Sequence, residues 1–355
     1  MNNLLRLGLA VFVPLIVWAC ESQQSYSRYS GNTMGTSYNI SCSSKASAAL
    51  HKEIKQLLQD INMSVSTYIP QSSISTINQD QKAVSRYRDA QDSILVYVMP
   101  ADTHFIKNFS ISKKYHNSSK GFFDPSIMPL VNYWGFGYTE KKAVEDADSN
   151  IIEVLVDVTD YTKWVLSLAN DTMTIRKPKG AQLDFSAVAK GYAVDCIAEM
   201  LDRNGIADYM VEIGGEVRTK GVNNKSKSWV IGLSKPEIDA RLNTFSATIE
   251  LDNKAMASSG NYRNYYMVDG KSYGHEINPN TGYPEINRLL GVSAISEECA
   301  VSDAMATAFM VMGLERSIEW LKQQSEIKAV LFYQDDSLGL NQYISPGLPI
   351  NILNQ

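Results

Sequence analysis

Three stretches of this 355-residue chain put reactive side chains at spacings that suit chemistry. The first is Ser302 to Gly313 (SDAMATAFMVMG), where Asp303 and Thr307 stand four residues apart and so share one face of a helix that is otherwise apolar all round. A buried carboxylate is costly unless it is paired or bound to a metal. A carboxylate and a hydroxyl beside a helix start suit Mg²⁺, which takes oxygen ligands and is commonly shared with substrate phosphates. In the competing reading Ser302 or Asp303 caps the helix and Thr307 bonds back to a backbone carbonyl; the segment alone leaves both open. The second stretch is Leu183 to Asp195 (LDFSAVAKGYAVD), where Asp184 and Lys190 flank a turn of small residues that opens a helix. Free N–H groups at a helix start, with a lysine nearby, form a phosphate seat. The stretch is neither a Walker loop nor a dinucleotide-binding G-x-G-x-x-G, and a lone lysine in a first turn is more often solvated. The third is Gly274 to Pro284 (GHEINPNTGYP), a cluster of turn residues around His275, one of four histidines in the chain. Pro279 and Gly282 fix the backbone path as a pocket wall needs, and His275 suits a general base or a ligand, although a lone histidine is more often structural. Aromatic residues gather in Phe122-Phe123-Asp124-Pro125 and Trp134-Gly135-Phe136-Gly137, either as core or as a slot for a planar ring system.

These residues need elements to hold them. Ser37 to Cys42 alternates like a strand, and residues 46–62 carry Leu50, Ile54, Leu57, Leu58 and Ile61 at helical spacing. Ala189, Ala193, Cys196 and Met200 predict a helix that stops at Asn204-Gly205. Tyr209 to Ile213 reads as a buried strand entering Gly214-Gly215, and Glu216 to Lys220 as its return; Trp229 to Leu233 and Thr244 to Leu251 continue the strand pattern. Helices mixed with hairpin-like strands predict an α+β fold with a mixed, largely antiparallel sheet flanked by helices.

Composition narrows the function. The chain is 44% hydrophobic and 20% charged, which suits a globular protein and excludes disordered, collagenous and disulfide-scaffold classes. Lys+Arg 33 against Asp+Glu 38 gives a net charge of −5, which argues against a nucleic-acid partner. Cysteines at 20, 42, 196 and 299 are too far apart for a zinc knuckle or a CxxC redox pair. At the N-terminus Arg6 precedes the apolar run Leu7 to Trp18, which is too short to span a bilayer and fits a signal peptide covering residues 1–19. Val17-Trp18-Ala19-Cys20 resembles a bacterial lipobox, with Cys20 the lipidated residue, and the polar Glu21 to Ser30 completes a tether over residues 20–30. No linker or repeat divides residues 31–355, which read as one catalytic unit.

Taken in order, the motifs resemble the ApbE family, the FAD:protein FMN transferases. The resemblance runs through Thr33 to Tyr38 (TMGTSY), Ser66 to Pro70 (STYIP), Ser73 to Asn78, Gly121 to Gly137 (GFFDPSIMPLVNYWGFG), Leu183 to Asp195, Val211 to Gly215 (VEIGG), Ala257 to Gly260 (ASSG), His275 to Pro284 and Ser302 to Gly313. It implies Mg²⁺-dependent transfer of the FMN half of FAD to a Ser or Thr hydroxyl of an acceptor flavoprotein subunit, with release of AMP. It further implies Asp303, Thr307 and the Ala187 carbonyl as metal ligands, and Met34, Tyr68, Phe122, Phe123, Asp124, Asp184, Lys190 and Ile277 as the FAD site. Attack on the FMN-side phosphorus needs charge stabilisation, to which Asp303 and Lys190 would contribute, and a group to take the hydroxyl proton, either His275 or Asp184. Three positions depart from the family pattern: Phe122 for a small residue, Phe185-Ser186 for Leu-Gly, and Glu276 for an apolar residue. The same residues would serve a Mg²⁺-dependent FAD pyrophosphatase, and a non-catalytic flavin-binding lipoprotein is the remaining alternative. The implied location is the bacterial cell envelope, with a lipid anchor in a membrane and the catalytic part on the periplasmic side.

Overall fold

The computed structural model describes residues 25–353 except 46, 84, 88–93, 139–143, 145–146, 235, 237–243, 261–264, 269–270 and 338. The signal peptide and Cys20 expected from the sequence lie outside these residues. No helix among the described residues is long and apolar enough to cross a membrane.

The central element is an eight-stranded sheet whose strands neighbour one another in chain order: β1 (Ser27–Thr33), β2 (Thr36–Cys42), β3 (Tyr209–Ile213), β4 (Glu216–Lys220), β5 (Ala255–Gly260), β6 (Leu289–Ser296), β7 (Lys328–Gln334) and β8 (Leu340–Ile344). Every ladder in it is antiparallel. A four-stranded sheet formed by Ser85–Tyr87, Ile94–Pro100, Thr172–Pro178 and Val165–Ala169 and a three-stranded one of Ile350–Ile352, Phe245–Leu251 and Trp229–Ser234 flank it. The expected α+β class with a largely antiparallel sheet is the class observed. Ser27 to Ser30, read from the sequence as tether, are instead the first half of β1. Tyr29 is buried, pairs with Ile40 and accepts a hydrogen bond from the Ser47 N–H at 3.0 Å, so the folded unit starts before residue 31.

The four longest helices among the described residues pack against the main sheet or one another. Helix α1 (Ala48–Val65) opens with the Ser47 hydroxyl accepting from the Leu50 N–H and buries Leu50, Ile54, Leu58 and Ile61, the stripe that its spacing predicts. Helix α2 (Thr103–Ser118) is capped in the same way by Asp102. Helix α3 (Ala189–Arg203) and helix α4 (Cys299–Met312) are buried over most of their surfaces and pack on each other.

The sheet also contains the opening that the site needs. Strands β4 and β5 share only two paired positions, Val217 with Met256 and Arg218 with Ala255. Beyond that point the ladder stops, and Glu216 on one strand and Ala257 to Gly260 on the other lie where the strands part. The starts of α3 and α4 lie beside this opening.

Candidate active site

The site begins with two helices that cap each other. In α3, Asp195 accepts the Cys299 and Ala300 N–H groups, both at 2.9 Å, which are the first two free donors of α4. In return, Asp303 of α4 accepts the Gly191 N–H of the first turn of α3 at 3.0 Å. This exchange brings the helix starts into contact, and only a glycine permits it: a Cβ at Gly191 would lie 2.4 Å from the Cys299 carbonyl oxygen. Helix α4 therefore starts at Cys299 rather than Ser302, so neither Ser302 nor Asp303 is its N-cap, as one sequence reading had it.

The reciprocal cap positions the charges. Lys190, one residue before Gly191, extends its ammonium to Glu216 Oε1 at 2.9 Å and approaches Asp303 Oδ1 at 3.7 Å. Both carboxylates are buried, and the second oxygen of Glu216 has no hydrogen-bond partner among the described residues. Burial, reinforced by the neighbouring Asp303, pushes the Glu216 carboxyl up to about 8 against the opposing pull of Lys190. Burial also raises Asp184, whose Oδ1 accepts the Ser186 N–H at 2.8 Å and its hydroxyl at 2.5 Å, with Lys190 opposing. Three carboxyl groups thus face one ammonium, and a further cation beside them would oppose the burial that raises Glu216 and Asp184.

The donors for one are at hand. Thr307 lies one turn after Asp303 and brings its hydroxyl within 3.4 Å of the Ser259 hydroxyl. In a regular helix the Gly191 N–H would serve the Ala187 carbonyl; because it serves Asp303, no hydrogen bond among the described residues reaches that carbonyl. No group of three or more His, Cys, Asp and Glu side chains among the described residues is arranged to hold a metal. The oxygen donors are therefore one carboxylate, one hydroxyl and one carbonyl, which leaves positions for phosphate oxygens and water.

These groups lie in a cleft of about 860 Å³, near the upper end of the ~300–1,000 Å³ spanned by ligand pockets. Of the residues expected from the sequence, Tyr68, Phe122, Phe123, Asp124, Asp184, Ala187, Lys190, His275, Ile277, Asp303 and Thr307 all line it. Met34 does not. It sits in the β1–β2 turn at φ +49°, and its neighbour Thr36 abuts the cleft-lining Gly214. Asp124 belongs to the wall, but its oxygens are held internally by Ser126, the Tyr161 N–H and His116, so it braces the Phe122-Phe123 segment. The Arg316 guanidinium lies 5.2 Å from the centre of the Phe122 ring. Tyr68 is largely exposed at the cleft wall.

The 274–284 loop is anchored from behind. The Trp134 indole N–H donates to the Gly282 carbonyl at 2.7 Å, and the Ile277 bridge to Pro284 closes the turn. His275 enters directly from a two-stranded hairpin (Tyr265–Val268 and Lys271–Gly274), is partly exposed, and places Nδ1 3.3 Å from Glu276 Oε2. Sequence reasoning missed Glu216 and Ser259 as members of the site. The signal for Glu216 was its place directly after the Gly214-Gly215 turn, where a charged residue starts an otherwise inward-facing strand.

The comparisons with known proteins agree with one another. Residues 34–331 match the sequence profile described as the ApbE family. A Vibrio cholerae protein named FAD:protein FMN transferase is 33% identical over 93% of this chain and 94% of its own length, and a Haemophilus influenzae protein of that name is 30% identical over 95% of each. Among solved structures, the flavin transferase ApbE from Vibrio cholerae superposes with a TM-score of 0.76 at 32% identity, covering 91% of this chain and 97% of the other. The apo form of the Pseudomonas stutzeri flavinyl transferase ApbE gives the same TM-score at 26% identity, covering 91% and 95%.

Proposed function

The chain belongs to the ApbE family, and from that premise we propose that it transfers the FMN moiety of FAD to a Ser or Thr hydroxyl of an acceptor protein, releasing AMP. The activity is that of an FAD:protein FMN transferase. The observation that carries it is the convergence of Lys190, Glu216, Asp303 and Thr307 in a large cleft whose lining also includes the apolar side chains of Phe122, Ile127, Val131, Phe136 and Ile277. A flavin dinucleotide needs both parts, a charged seat for its diphosphate and an apolar slot for its ring.

Asp303, Thr307 and the Ala187 carbonyl would hold Mg²⁺, since their oxygen donors fit a hard cation. When bound, the ion neutralises charge on the diphosphate and on the departing AMP. Lys190 supplies fixed positive charge at the same point and is held there by Glu216. Asp303 is itself fixed by the Gly191 N–H, so the seat needs little reorganisation when substrate arrives. Phe122, Ile127, Val131 and Ile277 line the apolar wall and exclude water from the reacting phosphorus. Of the two candidate bases, His275 is favoured over Asp184, because one Asp184 oxygen already holds both donors of Ser186. The expected lipid anchor at Cys20 would set the catalytic part on the periplasmic side of an envelope membrane, close to membrane-bound acceptor subunits. Loss of acylation and release from the membrane in Cys20→Ser tests this part separately.

Intact-mass spectrometry of a candidate acceptor, after incubation with this protein, FAD and Mg²⁺, tests the reaction. The expected result is a covalent FMN adduct that disappears with chelator and with Asp303→Asn. FMN and AMP accumulating beside an unmodified acceptor would instead indicate hydrolysis.

A further inference from the structure

Glu276 is a buried carboxylate with no settled partner. Its side chain is about 3% exposed, it borders the cleft, and neither of its oxygens has a hydrogen-bond partner among the described residues. A carboxylate in that position is unfavourable unless something uses it. Among the described residues the titratable group beside it is the neighbouring imidazole: His275 Nδ1 lies 3.3 Å from Glu276 Oε2. That is close enough for a hydrogen bond once the ring settles, and such contacts commonly tighten only when substrate is bound. The backbone that carries it is held in place, since the Glu285 N–H donates to the Glu276 main-chain carbonyl at 2.8 Å and the Asn278 amide ties Glu285 into the same loop at 2.6 Å. Phe136 meets the His275 ring at 6.4 Å between centres and 61° between planes, limiting its rotation from another side.

We infer that Glu276 is a positioning residue for His275: it accepts the Nδ1–H, fixes the tautomer that leaves the Nε2 lone pair for the acceptor hydroxyl, and stabilises the imidazolium formed during transfer. This rests on the reading of His275 as the base in the transfer proposed above. In the step concerned the acceptor hydroxyl oxygen forms a bond to the FMN-side phosphorus as the bond from that phosphorus to the bridging oxygen of AMP breaks. The hydroxyl proton passes to Nε2 of His275, AMP leaves with the bridging oxygen, and the imidazolium returns its proton to solvent. Across the pair a positive charge appears on His275 while Glu276 remains an acceptor, the same division of labour as in a carboxylate–histidine dyad.

The test uses the full-length protein with FAD, Mg²⁺ and a protein acceptor. Glu276→Gln keeps the shape but loses the charge and can select the wrong tautomer. It should lower kcat by roughly 10²–10⁴, by analogy with the loss on amidating the carboxylate of a catalytic triad. The dissociation constant for FAD should stay within about twofold. His275→Ala and the double variant should be equally slow, since Glu276 acts only through the ring. Overturning results are unchanged kcat in Glu276→Gln, a loss that adds to that of His275→Ala, or a loss confined to FAD affinity. Nitrogen-15 NMR of histidine-labelled unaltered protein needs no variant fold: a His275 ring protonated at Nδ1 when neutral supports the inference, and one protonated only at Nε2 overturns it. If His275→Ala transfers FMN at the normal rate, the base assignment fails and this inference with it, while the transferase reading stands.

Discussion

Gly191→Ala tests the contact on which the site is built. A methyl group there would lie 2.4 Å from the Cys299 carbonyl oxygen, 2.6 Å from its carbon and 2.8 Å from Ala300 Cα, all under the 3.0 Å that real Cβ atoms keep. All three atoms are backbone in the first turn of α4, so no side chain can swing aside, and the helices must separate. Overpacking of this kind costs about 1–3 kcal/mol. Separation also weakens three capping hydrogen bonds, those from Cys299 and Ala300 to Asp195 and from Gly191 to Asp303, of a class in which each cap contributes about 0.5–2 kcal/mol. Replacing a helical glycine by alanine returns about 1 kcal/mol. The net expectation is a loss of about 2–4 kcal/mol, read from the midpoint of urea denaturation at constant slope. Activity should fall further than stability alone requires, because Asp303 and Lys190 sit on the two helices being separated; a displacement near 1 Å costs about 10² in rate. A Gly191→Ala protein with an unaltered midpoint and normal FMN transfer would refute the reciprocal cap as the device that fixes the site.

Three further substitutions address neighbouring parts. Asp303→Asn retains an oxygen for the Gly191 N–H and should keep stability within about 1 kcal/mol, whereas Asp303→Ala loses the cap and should cost about 1 kcal/mol more; both should abolish Mg²⁺-dependent transfer, measured beside denaturation. Glu216, raised to about 8 by burial, holds its proton in the folded state at pH values where the unfolded chain has released it, so stability should fall as pH rises from about 4.5 to about 8. In Glu216→Gln that slope should flatten, and an unchanged slope by denaturation across the range would exclude Glu216 as its source. Gly282→Ala should destabilise by about 2–4 kcal/mol, since φ is +76° and a Cβ would meet Ile152 at 2.5 Å and Val156 at 2.7 Å. Because Gly282 anchors the loop carrying His275, KM for FAD should rise as well, and a normal melting temperature with normal KM would contradict the packing.

What could be read from the sequence was whatever a local period records. The α1 stripe, the α3 spacing with its Asn204-Gly205 stop and the hairpin through Gly214-Gly215 each come from residues within a few positions of one another. Asp303 and Thr307 were legible for the same reason, as a polar pair on an apolar helix. The start of α4 was not, because its cap is Asp195, 104 residues earlier in the chain. Strand β1 was hidden by polar composition: only Ser27 and Tyr29 face inward fully, too few for an apolar pattern. Glu216 could not be placed, since nothing near it in sequence names Lys190, 26 residues away, as the cation that accompanies its burial. Yet the two helices do carry a local trace of their meeting. Gly191 and Asp195 stand four apart in α3, Cys299 and Asp303 four apart in α4, and each pair gives one N–H and takes one carboxylate across the same contact. A glycine and an aspartate at that spacing in one buried helix, with an aspartate one turn into another, therefore describe a shared joint rather than two separate motifs. Lys190 and Asp303 converge because the joint that caps the helices also sets the distance between their charges.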